Sequence, residues 1–420
     1  MTEQLLSQIW KNGYFQKKDL KTIDQKGVHI INCGTLNLDE GPDFLPAKIK
    51  IDNILWVGNI EIDLKTSYWK KHKHHTSKNY KNVILRIVWE HDIQTINSTI
   101  PILELKDFVP KYLLTQIEYW LSNKELLPCQ KHLAKIPKII WSSWKERMLI
   151  ERLEFKTKHI NELLQKQNNH WEQTFFILLS QSFGLKVNSE SFGLIAESIQ
   201  VNIFGKIKKS LIQIEALLLG QANLLNENFN ENYPQQLKKE YLFLKQKFKL
   251  KSPPIKVSFL RMRPYAFPTI RLAQLASLLF VSHHLFSKII EAKSYKELRK
   301  LFQIEVSDYW IDHFRFDKKS KKSDKKMTEE FFIRICINTI YPLLFLYAQK
   351  KDLPDLRDKV IQFFSSTKAE ENKITKLWSQ RFIENKNAFD SQSLYHLYQE
   401  YCTQKKCLNC AIGNHILKDY

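Results

Sequence analysis

The sequence predicts an α+β protein in which an N-terminal mixed α/β domain precedes a large all-α region. Two observations along the chain predict this. Over residues 1–110 the apolar positions recur with a period near two and are separated by turn signals: Asn32-Cys33-Gly34, Glu40-Gly41-Pro42 and Asp52-Asn53. From residue 111 onward the apolar positions recur at helical spacing in long amphipathic segments. The composition agrees, because 420 residues with 43% hydrophobic, ten Trp and 26 Phe supply a core large enough for two or three domains.

The elements follow in order. An opening helix is expected over residues 3–12, then strands near 28–31, 47–51, 54–64 and 83–89. The run Val83-Ile84-Leu85-Arg86-Ile87-Val88-Trp89 is nearly continuous and apolar, which predicts a central strand buried on both faces. Helices are expected over 141–164, 171–182, 211–226 and 269–287. The domains then read as 1–110, a helical 111–400 with a sub-boundary near 255 at Pro253-Pro254, and a Cys-rich tail at 401–420. Residues 318–326 carry six lysines and read as a mobile surface loop, or alternatively as a phosphate-binding arm.

Lys and Arg total 65 against 44 Asp and Glu, a net charge of +21 that favours polyanions such as DNA or RNA. Abundant Lys, Asn and Ile beside only ten Gly is also what AT-rich coding produces. No uninterrupted apolar run reaches the roughly 18 residues of a membrane span, so no membrane partner is expected. Met1-Thr2-Glu3-Gln4 lacks the basic and apolar regions of a secretory signal, which makes the cytoplasm the expected location and reduced thiols the expected state of the six cysteines. Absence of a Walker loop, Gly-x-Gly-x-x-Gly, Gly-x-Ser-x-Gly and His-Glu-x-x-His leaves NTPases, dinucleotide enzymes, serine hydrolases of that class and zincins without support.

One stretch reads as chemistry. Gly41-Pro42-Asp43-Phe44 precedes an apolar run, and Gly58-Asn59-Ile60-Glu61-Ile62-Asp63-Leu64-Lys65 follows on the next predicted strand. Alternate residues of a strand share a face, so Glu61, Asp63 and Lys65 point one way and Ile60, Ile62 and Leu64 the other. Asp43, Glu61 and Asp63 are candidate ligands for Mg²⁺ or Mn²⁺, and Lys65 a candidate for positioning an attacking water. Two arrangements fit: Asp43 and Glu61 with Lys65, or Asp43 with Asp63-Leu64-Lys65. The second resembles the acidic-x-Lys signature of PD-(D/E)xK nucleases and implies a restriction-endonuclease-like core. The competing reading is an ordinary amphipathic strand with its charged side in water.

Directly after it come Trp69-Lys70-Lys71-His72-Lys73-His74-His75 and then Tyr80, cations interleaved with aromatic rings. Trp69, His72, His74 and Tyr80 are candidate nucleic-acid contacts, by stacking and by charge. His72 and His74 alternatively ligate metal, and a solvated loop is the plain reading. Arg263 and Arg271, in Arg261-Met262-Arg263-Pro264-Tyr265-Ala266-Phe267-Pro268-Thr269-Ile270-Arg271, are candidate phosphate forks or local caps. Cys402-x4-Cys407-x2-Cys410-x4-His415 has the donors of a Zn²⁺ site. An iron–sulfur cluster with Cys33 as fourth thiolate is an alternative. Cys129 and Cys336 sit among apolar residues and read as core.

The motifs Gly41-Pro42-Asp43-Phe44, Gly58-Asn59-Ile60-Glu61-Ile62, Ile214-Glu215-Ala216-Leu217-Leu218-x-Gly220-Gln221-Ala222, Arg263-Pro264-x-x-Phe267-Pro268-Thr269-Ile270-Arg271-x-Ala273-Gln274, Ile337-Asn338-Thr339 with Pro342, and Cys407-Leu408-x-Cys410-x-Ile412-Gly413 resemble a bacterial family, domain of unknown function 2851. The resemblance spans almost the whole chain and implies no activity. The family pattern carries His where this chain has Asp63 and Arg86, and Asp at Tyr68 and Ser77, while His72, His74 and Tyr80 match. If those positions form a site in relatives, the resemblance implies that it is rearranged or lost here, which favours binding over catalysis. The expected function is nucleic-acid association, as a metal-dependent nuclease or as a non-catalytic binding or scaffold module. No particular protein partner is implied.

Overall fold

The computed structural model describes residues 1–93, 99–123, 125–282 and 284–418. Helix takes 56% of the chain and strand 11%, with most strand in the first 104 residues, so the α+β expectation holds. The chain forms two compact units: residues 1–144 together with 396–420, and residues 145–395. The first unit thus extends past residue 110, the returning chain end starts within a few residues of the expected 400, and residue 255 lies inside the second unit.

The first unit is built on a mixed sheet. Helix α1 (Glu3–Asn12) starts where the Thr2 hydroxyl accepts the Leu5 N–H and stops at Gly13, whose φ of 66° suits a residue without a Cβ. Strands β1 (Val28–Asn32), β2 (Thr35–Leu36), β3 (Phe44–Ile51), β4 (Ile54–Lys65), β5 (Val83–Glu90) and β6 (Ile102–Glu104) follow. The order across the sheet is β1-β3-β4-β5-β6, with β2 beside β3. The β1–β3 and β3–β4 pairs are antiparallel, and β4–β5 and β5–β6 are parallel. The Asp52-Asn53 turn makes the β3–β4 hairpin, with Asp52 at a φ of 51°. Register slips between Phe44 and Ala47, where Pro46 has no N–H for the ladder.

The parallel β4–β5 pair needs a crossover. A short helix α2 (Tyr68–Lys71) and 3₁₀ turns at His74–Thr76 and Lys78–Tyr80 supply it. Gly58 permits the close approach at the start of β5: a Cβ there would lie 2.4 Å from Ile84 Cγ2 and 2.7 Å from the Asn82 carbonyl oxygen. Strand β5 is central and buried, as its apolar run predicts. The short β2 and β6 were not legible from periodicity. Helix α3 (Lys111–Ser122) also belongs to this unit, burying Leu113, Ile117 and Trp120.

The second unit is helical around one large apolar cluster. The expected helices appear at Lys138–Lys166, Trp171–Phe183 and Leu211–Gln221, the first crossing the boundary between the units. The segment expected as one helix over 269–287 is two, Pro268–Val281 and Leu285–Glu291. Family-motif residues here hold the fold. Glu215 is buried and accepts from Ser307 Oγ (2.9 Å), Trp310 Nε1 (3.4 Å) and the Tyr233 hydroxyl. Glu329–Lys350 is long and apolar enough to cross a membrane, and 83% of its most apolar window is buried inside the protein. In the lysine-rich 318–326 segment Lys318, Lys319, Lys321, Lys322 and Lys326 are exposed, and Lys325 is the exception. Lys325 is 2% exposed, with Nζ donating to the Ile311 and Ser323 carbonyls and lying 3.9 Å from the Phe314 ring centroid.

Candidate metal centre

The carboxylates of β4 are not on a wet face. Glu61 is 4% exposed and Asp63 1%, so β4 is buried on both sides at its centre, in contrast to an ordinary amphipathic strand. Helices α1 and α2 both contact it. Asp43 enters from the adjoining strand end, and the pair hold each other: the Asp43 N–H donates to Glu61 Oε2 (3.3 Å), while Asp43 Oδ2 accepts from the Ile62 N–H (2.9 Å). The turn before Asp43 is pinned by Asn37, whose side-chain amide donates to the Pro42 carbonyl at 3.1 Å.

The crossover brings imidazoles to the same place. His74 Nδ1 lies 3.1 Å from Glu61 Oε1, and His72 Nδ1 lies 3.8 Å from Asp63 Oδ1. Ligand atoms of Glu61, Asp63 and His74 all lie within 4.8 Å of one another, as do those of Glu3, Asp63 and His72. His74 is stacked on Tyr80 at 4.2 Å and meets the edge of Trp69 at 5.3 Å, which orients its ring toward the acids.

One cation sits among them. Arg86, opposite Glu61 in the β4–β5 register, donates from Nη2 to Asp63 Oδ2 (3.2 Å) and to the Thr66 carbonyl (2.9 Å), and its guanidinium lies 4.6 Å over Trp69.

The electrostatics record crowding. Burial pushes Glu61 up to about 9, helped by the negative charges of Asp43 and Asp63. Burial pushes Asp63 up to about 6, and Arg86 opposes the rise. Asp43 is also raised by burial, with the Ile62 N–H opposing. Burial and the neighbouring His72 and Arg86 push His74 down to about 4, so its imidazole is neutral at pH 7. Buried acids short of compensating charge beside a neutral imidazole whose Nδ1 faces Glu61 Oε1 are a donor set that a divalent ion fits.

Several sequence candidates lie elsewhere or act differently. Lys65 is at the far end of β4, about 13 Å along the strand from Glu61 and about 7 Å from Asp63; it is exposed, with Asp92 near enough to feel its charge. Trp69 is 9% exposed and packed by Arg86, His74 and Tyr80, so its face is not offered to a base. Arg263 and Arg271 belong to the helical unit. Arg263 is exposed, whereas Arg271 donates to Gln274 Oε1 (2.8 Å) and stacks on Phe331 (3.8 Å), the local pairing that was its alternative reading. Cys402, Cys407, Cys410 and His415 all lie in the first unit, on its returning chain end. The sequence reading missed Glu3 and Arg86. Arg86 had a signal, a lone charge inside an otherwise apolar strand; Glu3 read as an ordinary residue of a helix first turn.

An α+β architecture whose sheet gathers buried carboxylates, imidazoles and one guanidinium defines the class of protein as far as geometry goes. The family model described as Protein of unknown function (DUF2851) matches residues 3–373, and the chain belongs to that family. Comparisons with curated proteins and with solved structures found no match.

Proposed function

We propose that the sheet unit is a divalent-metal-dependent phosphodiesterase acting on nucleic acid. The observation that carries this is the meeting of Asp43, from the start of β3, with Glu61 and Asp63 at the buried centre of β4 and His74 beside them. Pro42-Asp43 at one strand's entry and Asp63-Leu64-Lys65 on the next, in a sheet that passes from antiparallel to parallel after β4, is the pattern on which the PD-(D/E)xK resemblance rests.

Asp43, Glu61, Asp63 and His74 are the residues that would hold the ion. A bound divalent ion supplies a polarised water and a clamp on phosphate oxygens. An imidazole among carboxylates favours Mn²⁺ over Mg²⁺, which prefers oxygen donors throughout. The positive charge beside the carboxylates comes from Arg86, a role the sequence had given to Lys65. Exposed Lys70, Lys71 and Lys73 on the crossover offer charge to a phosphate backbone at the rim.

The test is cleavage of labelled single- and double-stranded DNA and RNA with Mn²⁺ or Mg²⁺ by wild type, Asp43→Ala and Glu61→Ala, with unfolding curves for all three. Cleavage lost in both folded variants supports the reading. No cleavage by wild type with either metal overturns it.

A second reading, a non-catalytic nucleic-acid-binding module, is favoured by the Arg86–Asp63 ion pair, because a guanidinium already neutralises part of the site. It predicts salt-sensitive gel shifts without cleavage, unchanged in folded Asp43→Ala.

A further inference from the structure

The helical unit holds a cleft of about 590 Å³ whose walls carry more cations than carboxylates. That volume falls within the roughly 300–1,000 Å³ of small-molecule sites. Helix Lys138–Lys166 supplies one wall, because residues three and four apart share a helix face: Phe155, Lys158, His159 and Glu162 all line the cleft. The chain turns at Leu185, with a φ of 55°, and Ser182 before the turn and Lys186 after it line the same space. Arg334, Asn338 and Thr339 complete the polar lining.

The chain from Glu329 to Lys350 makes one π turn at this cleft. Over Cys336–Ile340 the Tyr341 N–H donates to the Cys336 carbonyl, five residues back. Such turns recur at functional sites, where they present backbone and side-chain oxygens out of the usual helical register. Here the Ile337 carbonyl and Asn338 Oδ1 each accept from Lys156 Nζ at 3.0 Å. Asn338 Nδ2 donates to the Arg334 carbonyl at 3.0 Å, and the Thr339 and Ser182 hydroxyls meet at 2.5 Å. The polar wall is thus held in place without using the charges.

Those charges lack partners of opposite sign. Nearer its start the same helix pairs Lys145 with Asp390 and Arg147 with Glu151. Among the described residues, Lys156, Lys158, Lys186 and Arg334 form no such pair, and Glu162 is the one carboxylate lining the cleft. Burial and the Arg152 charge lower the pKa of Lys156, with Glu370 opposing, so an anion in the cleft would favour its charged form. Phe155 adds a ring that is 63% exposed. An open aromatic face among unpaired cations is the combination that holds a base beside its phosphates.

We propose that this cleft binds the phosphate groups of a nucleotide, with Lys158, Lys186 and Arg334 as the cations that meet them and Phe155 as the surface for the base. The phosphates belong either to a free nucleotide or to one unit of a polynucleotide. The inference is independent of the phosphodiesterase reading, since none of these residues lies in the sheet unit.

The experiment is calorimetric titration of the full chain, without divalent metal, with ADP, inorganic pyrophosphate, adenosine and a single-stranded oligonucleotide. Expected is saturable binding that Lys186→Gln with Arg334→Gln weakens by at least about tenfold, the worth of a charged hydrogen bond. Lys350→Gln with Lys351→Gln removes the same charge from exposed positions outside the cleft and leaves binding unchanged. Phe155→Ala weakens ADP binding and spares pyrophosphate. All five side chains are exposed, so the variants should fold, and unfolding curves check that they do. Binding of ADP assigns the site to a free nucleotide; oligonucleotide binding that falls in the cleft variant, with ADP silent, assigns it to a polynucleotide. No binding of either by wild type overturns the proposal. Equal weakening in the two double variants, or adenosine binding as tightly as ADP, overturns it as well.

Discussion

Arg86 Nη2 stands 3.2 Å from Asp63 Oδ2 across the parallel β4–β5 pair, and both side chains are almost wholly withdrawn from water. Replacing both with His would put a pair of imidazoles where the chain now has a buried acid and base. Either change alone would leave a buried charge without its partner. Removing one member of such a pair costs about 3–5 kcal/mol. Arg86→Met should therefore destabilise strongly, up to the point where Asp63 takes a proton. Asp63→His with Arg86→His should cost less than the sum of the two single changes, with a coupling of about 0.5–3 kcal/mol. Urea unfolding of the four proteins measures it, and strictly additive values would show that the positions are independent.

The raised acids set a pH dependence with a definite sign. Between the ordinary carboxylate range and about 9, the folded protein holds a proton on Glu61 that the unfolded chain has released. Asp63 behaves alike up to about 6. The folded state then binds more protons, so stability falls as pH rises through this window. The melting temperature of metal-free protein should drop from pH 5 to pH 9. Glu61→Gln should flatten that slope, and an unchanged slope in this variant would remove Glu61 as its source.

Metal binding should reverse the trend, since an ion displaces those protons and binds only the folded site. Mn²⁺ at a hundredfold excess over its Kd stabilises by about 2.7 kcal/mol. The shift in melting temperature should grow with pH, vanish in Glu61→Gln and His74→Ala, and persist in Lys65→Ala, whose side chain stands in solvent. Calorimetric scans with and without Mn²⁺ at two pH values are sufficient, and a full shift in His74→Ala would exclude the imidazole from the ligand set.

Period-two patterning made the long strands legible: β4 and β5 start where the sequence places them, and each ends within a residue. It could not find Thr35–Leu36 or Ile102–Glu104, because two or three residues are too short to show a period. Asp43 and Glu61 were legible as partners from one strand length of separation. Parity correctly put Glu61 and Asp63 on one face, but it could not tell whether that face was wet. That depends on α1 and on the crossover at 68–80, neither of which is encoded in β4 itself. Arg86 was hidden for the same reason: strand spacing sees neighbours along the chain, whereas Arg86 arrives by pairing with a different strand. The division of the chain was hidden for a similar reason, since the tail from 396 joins the first unit by contacts nearly four hundred residues apart in sequence.

The β4–β5 junction is the step on which the pocket depends, and Gly58 controls it. The Asn59 N–H donates to the Asn82 carbonyl at 2.8 Å, which starts the parallel pairing that later sets Glu61 opposite Arg86. A Cβ at position 58 meets both Ile84 Cγ2 at 2.4 Å and that same Asn82 oxygen at 2.7 Å. The side chain could turn aside, but the carbonyl is backbone and moves only if the strand moves. Gly58→Ala should therefore cost about 1–3 kcal/mol, the range of an overpacked core site. Displacing β5 would also carry Arg86 away from Asp63, so the variant should show a weaker Mn²⁺ shift than its stability loss alone explains. Ile84→Val together with Gly58→Ala relieves the side-chain contact and leaves the carbonyl contact in place. If unfolding midpoints show full rescue by Ile84→Val, the backbone contact is not what makes glycine necessary here; partial rescue places the requirement on the strand itself.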